Sequence, residues 1–275
     1  MTSRTAAAAV ALTLAASVLS GCASGSDAAP GPVATSTSSA TASPTSSASP
    51  STPVRPLAGR TVVLDPGHQL GNRNFPDRIN RPVPAGGFTK PCNTTGTSTD
   101  AGYPEATFTF QVARLARHRL KRLGARVVMT RKTNSDRRWG PCVDVRGRAG
   151  NRSRADVKIS IHADGSYEPG AHGFHVVRPP ARAPWTDDIA RPSRALAFDV
   201  RKALRGRGFA SSTYRGRDGI DVRRDLGTLN LSDVPTVLVE LGNMRDAGDA
   251  RTMTRPAGRQ RYAAALVTAV RAYLG

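Results

Sequence analysis

Glutamate is scarce in this chain. Of 20 acidic residues only three are Glu, at positions 105, 168 and 240, and histidine occurs just five times. Four of these rare side chains stand where a site would be built. His68 closes the stretch TVVLDPGH (61–68), His162 lies in VKISIHAD (157–164), Glu105 follows Pro104 at the start of an apolar run, and Glu240 ends PTVLVE (235–240). Two imidazoles and one carboxylate leave one corner of a tetrahedron open, which is the pattern of catalytic zinc. The same triad suits non-haem iron, but zinc accepts this mixed set without redox control. The remaining candidates are weaker. Glu168, in SYEPG, reads as a turn residue, and His118, in LARHRLKR, as an exposed residue of a cationic helix. His172 and His175 are spaced for opposite faces of a strand, so at most one faces a site. Taken singly, His68 reads as a turn residue and Glu240 as a salt-bridge partner as readily as anything else. The joint placement of His68, Glu105, His162 and Glu240 is what points to chemistry.

Those residues need elements to hold them. RTVVLD (60–65) is a short branched apolar run bounded by turn residues, the pattern of a buried parallel strand. Residues 69–103, rich in Gly, Pro, Thr and Asn, read as a loop, and one that long implies a function. The run 104–124 opens on proline, closes on glycine and carries apolar residues at helical spacing, so it predicts a helix. Strands are predicted at 125–130, 157–163, 172–177 and 235–242, and helices at 142–156, 192–208 and 255–275. Strands alternating with helices predict an α/β fold: a mostly parallel twisted sheet with helices on both faces, forming one domain. In such sheets ligands sit beyond the carboxyl ends of the strands. Asp65, His68, His162 and Glu240 all fall there, with Glu105 where the long loop returns. Asp65 is placed to fix the tautomer of a ligand histidine, or simply to cap its turn.

The N-terminal residues predict a destination. Residues 1–21 hold Arg4, an apolar run from Ala6 to Leu19 that is too short for a comfortable membrane span, and then small residues, as in a secretory signal. Leu19-Ser20-Gly21-Cys22 resembles a bacterial lipobox, which implies cleavage before Cys22 and lipid attachment to it. A plain secretory signal with an incidental cysteine is the competing reading. Residues 22–55 are nearly all Ser, Thr, Ala and Pro and lack the large apolar residues that would offset the entropy of ordering, so a disordered tether is expected there. The catalytic domain is then 56–275. The chain carries 40 Lys+Arg against 20 Asp+Glu. Export and low aromatic content argue against a nucleic-acid partner, whereas wall polymers and lipid headgroups are available polyanions. An Arg-rich genome accounts for the same bias equally well. In an exported chain Cys92 and Cys142 are expected to pair; a cysteine metal site lacks any Cys-x-x-Cys spacing.

At this point the motifs carry a resemblance. VVLDPGH, PE at the helix start, SIHAD and PTVLVELGN follow the order and type seen in the zinc-dependent N-acetylmuramoyl-L-alanine amidases of bacteria (the Amidase_3 type). RGRAGNRSRADVKISIHAD also resembles that family's run, with Arg146, Asn151 and Asp156 at matching positions. The resemblance covers essentially all of 60–275. It implies that His68, Glu105 and His162 bind Zn²⁺, that Glu240 is the catalytic carboxylate, and that Asp65, Arg146 and Asn243 stand behind them. The implied substrate is peptidoglycan or a muropeptide, cut between N-acetylmuramic acid and L-alanine. The lipobox predicts an exported enzyme held to the membrane by its lipid, or secreted if the lipobox is not used, and a monomer is expected. Three positions depart from the family: Gly150, Asp164 and Asn243, the last where an aromatic residue is usual. Two rival readings remain at this level: a zinc peptidase cutting within the stem peptide, and a non-catalytic wall-binding lipoprotein. With no appended repeat or second domain in view, short soluble muropeptides are expected to be preferred over intact sacculi.

Overall fold

The computed structural model describes residues 55–275. The signal, Cys22 and nearly all of the tether lie outside the described residues. Six strands form one sheet: β1 (Thr61–Pro66), β4 (Arg126–Met129), β5 (Val157–Asp164), β6 (His175–Arg178), β7 (Ile220–Val222) and β8 (Thr236–Asn243). Their order is β4-β1-β5-β8-β6-β7. Every neighbouring pair is parallel except β6–β8, which is antiparallel. The mostly parallel sheet with flanking helices is the architecture anticipated from the alternating pattern.

Side-chain alternation gives the sheet two different faces. Val62, Leu64, Ile159, Ile161, Val237 and Val239 point to one side. There they bury against α2 (Glu105–Arg122), α4 (Ala190–Arg205) and α7 (Pro256–Leu274) in the main core. On α2 the packing stripe is Phe108, Val112, Ala116 and Leu120, four-residue spacing that stacks on one helix face. Pro104 precedes the helix as N-cap, and Gly124 takes the left-handed φ of +98° that lets the chain turn into β4. The opposite face carries Asp65, Lys158, Ser160, His162, Leu238, Glu240 and His175. It is covered more thinly, by α3 (Val143–Arg148) and α5 (Gly227–Asn230).

The structure corrects several expected elements. Residues 69–103 are not a bare loop. They hold a 3-10 turn at Leu70–Asn74, α1 (Pro76–Asn80) and the antiparallel hairpin β2 (Pro82–Pro84) to β3 (Thr89–Pro91). The helix expected over 142–156 is only Val143–Arg148. Beyond it Gly150 sits at φ +100° against β1, where a Cβ would come within 2.8 Å of Val63 Cγ2. Arg154 is also left-handed, at φ +45°. β7, α5 and α6 (Ala247–Thr254) were not anticipated. Cys92 and Cys142 are joined as expected, across a sequence separation of 50. The bridge is buried with Val83, Trp139 and Val143 and ties the hairpin segment to α3.

Candidate metal centre

β1 ends on Pro66 and Gly67, and the next residue, His68, takes a left-handed φ of +58°. A non-glycine residue rarely sits there, at a cost of about 1–2 kcal/mol, so the surroundings must hold it. Gly67 N donates to Ile161 O at 2.8 Å, stitching the turn to β5. Gly67 must be glycine, because a Cβ would lie 2.5 Å from the His162 ring. Gly96 plays the same part from the other side: a Cβ there would stand 2.8 Å from Glu105 Oε2 and 2.9 Å from His68 Cδ2.

These close approaches bring His68, Glu105 and His162 together. Their potential ligand atoms all lie within 4.8 Å of one another, and all three side chains are buried. Glu105 Oε2 is 3.2 Å from His68 Nε2, and Glu105 Oε1 is 3.0 Å from His162 Nδ1. Two backbone donors also reach this carboxylate, Thr97 N at 3.0 Å and Ala163 N at 3.2 Å. Glu105 opens α2, so the positive end of the helix dipole favours its charge. Burial pushes its pKa up, but His68 and the hydrogen bond from His162 win, and it stays well below the usual carboxylate range. The far nitrogen of each histidine is also occupied. His68 Nδ1 meets Thr94 O at 3.1 Å, and His162 Nε2 lies 2.9 Å from Arg146 Nη2. Burial, only partly offset by Glu105, lowers the pKa of His162 and keeps its ring neutral, the form a metal needs.

Arg146 and Asp65 form the layer behind. Arg146 grips the fully buried Asp65 with two bonds, Nε to Oδ1 at 2.8 Å and Nη2 to Oδ2 at 3.0 Å. Thr130 and Ser160 hydroxyls each donate to the same carboxylate at 2.7 Å. Burial raises the Asp65 pKa, yet Arg146 and these hydroxyls hold it far below its ordinary value. Asp65 therefore does not touch a histidine, and its part is wider than capping a turn. It anchors Arg146, and Arg146 meets His162.

Glu240 sits beside this cluster on β8. In the sheet register it faces His162 on one side and His175 on the other. Its Oε2 is sealed from solvent with no hydrogen-bond partner. Burial, then the charges of Glu105 and Asp164, push its pKa well above the ordinary value. A raised pKa makes a carboxylate a stronger base, which suits a group that takes up a proton and gives it back. Asn243, at the end of β8, is buried and does not line the cluster. Its Nδ2 donates to Ser166 O at 2.9 Å and Ala171 O at 2.7 Å.

The parity argument for His172 and His175 leaves one facing this side of the sheet, and it is His175. That ring is buried with Nδ1 unpartnered, and burial drives its pKa down to about 4. Its edge meets the Tyr214 ring at 6.2 Å, and Tyr214 Oη donates to Asp164 Oδ2 at 3.0 Å. Spacing alone did not single out Tyr214, Thr94 or Thr97, which reach the site from irregular segments. His118 and Glu168 are exposed and lie outside the site.

The profile of one protein family, N-acetylmuramoyl-L-alanine amidase, matches residues 62–272. A curated relative, the N-acetylmuramoyl-L-alanine amidase Rv3717 of Mycobacterium tuberculosis, is 42% identical over 221 residues, covering 79% of this chain and 88% of that protein. Among solved structures, the N-acetylmuramyl-L-alanine amidase Ami1 from Mycobacterium smegmatis superposes with a TM-score of 0.74 at 41% identity, covering 80% of this chain and 98% of that one. The apo form of Ami1 from Mycobacterium abscessus gives a TM-score of 0.74 at 45% identity, covering 79% and 100%.

Proposed function

The chain belongs to the N-acetylmuramoyl-L-alanine amidase family, and from that premise we propose how its residues divide the work. The enzyme hydrolyses the amide between N-acetylmuramic acid and L-alanine in peptidoglycan. His68, Glu105 and His162 hold a zinc ion, and the observation that carries this is their convergence, with ligand atoms within 4.8 Å in a buried setting. Two imidazoles and one carboxylate are a donor set that zinc accepts. Zinc bound there supplies Lewis acidity to a reaction whose electrophile, an amide carbonyl, and nucleophile, water, are both poor.

The protein's own groups do the rest. Glu240 takes the proton of the attacking water and passes it to the departing L-alanine amine, as general base and then general acid. Its unpartnered Oε2 supports that role, because no internal donor occupies the lone pair that would accept the proton. Arg146, fixed by Asp65, holds the His162 ring at the angle that turns Nδ1 toward Glu105.

Around this centre we place residues 1–21 as an export signal, Cys22 as a lipid attachment site, 22–55 as a tether and 56–275 as a monomeric catalytic domain. Among the described residues no helix is long and apolar enough to cross a membrane. The apolar run from Ala6 to Leu19, the Leu19-Ser20-Gly21-Cys22 sequence and the Ser/Thr/Ala/Pro composition that follows support the signal, the lipid site and the tether.

The test separates the three glutamates. Glu105→Ala should lower zinc content together with activity. Glu240→Gln should keep zinc and fold while turnover falls at least about a hundredfold. Glu168→Gln, at an exposed turn, should leave both nearly unchanged. The measurements are zinc per protein by elemental analysis and muropeptide cleavage with products identified by mass. Loss of metal from Glu240→Gln would overturn the division of roles, and a cut inside the stem peptide would instead favour a peptidase.

A further inference from the structure

Tyr167 is the most exposed large hydrophobic residue among those described, at 75%. A single exposed aromatic is ordinary on a protein surface, so its surroundings decide its meaning. It lies three residues beyond β5, at the edge of the sheet where the strands of His162 and Glu240 end. One face of its ring is braced by Arg245, whose guanidinium carbon is 4.7 Å from the ring centroid. Arg245 Nη1 in turn donates to Asp100 at 2.9 Å. Asp100 belongs to the segment whose Gly96 and Thr97 lie against His68 and Glu105.

Asn243 fixes both partners of the stack. Its two bonds to Ser166 O and Ala171 O clamp the loop that carries Tyr167. Its Oδ1 accepts from Arg245 N at 3.1 Å. The residue that departs from the family's usual aromatic here holds another aromatic in place, three positions after Glu240. The other exposed large hydrophobics are Phe88, Val145 and Val222, on the β2–β3 turn, α3 and β7, and none belongs to α2, α4 or α7. Exposed apolar surface thus collects away from the three helices that bury the main core.

We infer that Tyr167, braced by Arg245 and held by Asn243, is a stacking platform for the sugar side of the substrate, the pyranose ring of the muramyl unit. This rests on the amidase reading. A pyranose presents a face of C–H groups that is apolar and slightly positive, and the open face of a rigid aromatic ring complements it. A charged stem peptide would seek the guanidinium instead, and Asp100 already neutralises it. Covering roughly 55 Å² of apolar surface corresponds to about tenfold in affinity.

Two experiments test the platform. In the first, kcat/KM is measured for a muramyl peptide and for a lactoyl peptide that has the same amide and stem but no sugar. Tyr167→Ala should lower the muramyl-to-lactoyl ratio about tenfold, through KM, and Tyr167→Phe should largely restore it. Equal losses on both substrates, or a Phe variant as poor as Ala, would overturn the assignment. In the second, a peptide-free N-acetylglucosamine–N-acetylmuramic acid disaccharide is titrated by NMR against Glu240→Gln with and without Tyr167→Ala. The double variant should bind about tenfold more weakly. Equal affinity, or no binding to either form at millimolar disaccharide, rules the platform out. The disaccharide has no scissile amide, so this result stands apart from the fate of the amidase reading, which product masses decide.

Discussion

Arg146 is the residue whose loss should reach furthest. It is buried, grips Asp65 with two bonds and meets His162 with the same Nη2. Arg146→Met leaves the Asp65 carboxylate buried without its cation, at a cost of about 3–5 kcal/mol. It also removes the contact that orients the His162 ring, so zinc affinity should fall. Arg146→Lys should rescue little, because an ammonium cannot make the paired bonds of the guanidinium fork. Urea unfolding and zinc competition titrations check the two effects separately, and a variant with near-normal stability would refute the anchoring role of Asp65. At this scale the sequence was informative where residue type was rare. His68, Glu105, His162 and Glu240 stood out because few histidines and glutamates exist to choose from, and each falls at the edge of an element. Asp65 and Arg146 were legible as motif positions, but not their pairing, since nothing in linear spacing reveals a contact across 81 residues. His175 was half legible. Period-two alternation fixed its parity relative to His172, while its burial beside Glu240 depends on the pairing of β6 with β8.

Elements were legible in proportion to their length and punctuation. α2 and α7 each begin at a proline boundary and run for 18 and 19 residues, so the expected bounds fall within a residue or two of the observed ones. α3 was overestimated, because helical composition continues to Asp156 while the conformation stops where Gly150 packs against β1. The direction of β6 was illegible, since four residues do not encode which way they run. Residues 69–103 show the opposite limit. Their many turn residues concealed a hairpin stabilised from outside by the Cys92–Cys142 bridge. That bridge closes a loop of about 50 residues, and chain-entropy arguments put its worth at about 4 kcal/mol, with measured values more often 2–4. The Cys92→Ser/Cys142→Ser double variant should therefore lose about 2–4 kcal/mol of stability in denaturant unfolding. The hairpin and the 93–98 segment that covers Glu105 should be the first to lose hydrogen-exchange protection. Uniform loss of protection across the sheet would mean that the bridge supports the whole domain rather than this flap of chain.

The positive charge of the chain and the lipid anchor proposed at Cys22 differ in their response to salt. The chain carries a formal net charge of +20, so it is drawn to anionic headgroups and wall polymers whether or not Cys22 is lipidated. Finding it in a membrane fraction therefore says little by itself. At about 1 M salt the Debye length shrinks to roughly 3 Å, and adsorption that depends on exposed charge is lost. A lipid anchor is held instead by burial of acyl chains, worth about 0.8 kcal/mol per CH₂, which salt does not screen. The native chain should thus remain with membranes through a 1 M salt wash and leave only with detergent. Cys22→Ser should still be exported and still adsorb at low ionic strength, but the salt wash should release it. The measurement is immunoblotting of washed membrane and soluble fractions, with the mass of the N-terminal peptide as a second readout. If salt alone releases the native chain, the lipobox is unused, and the basic surface is what keeps this amidase beside its substrate.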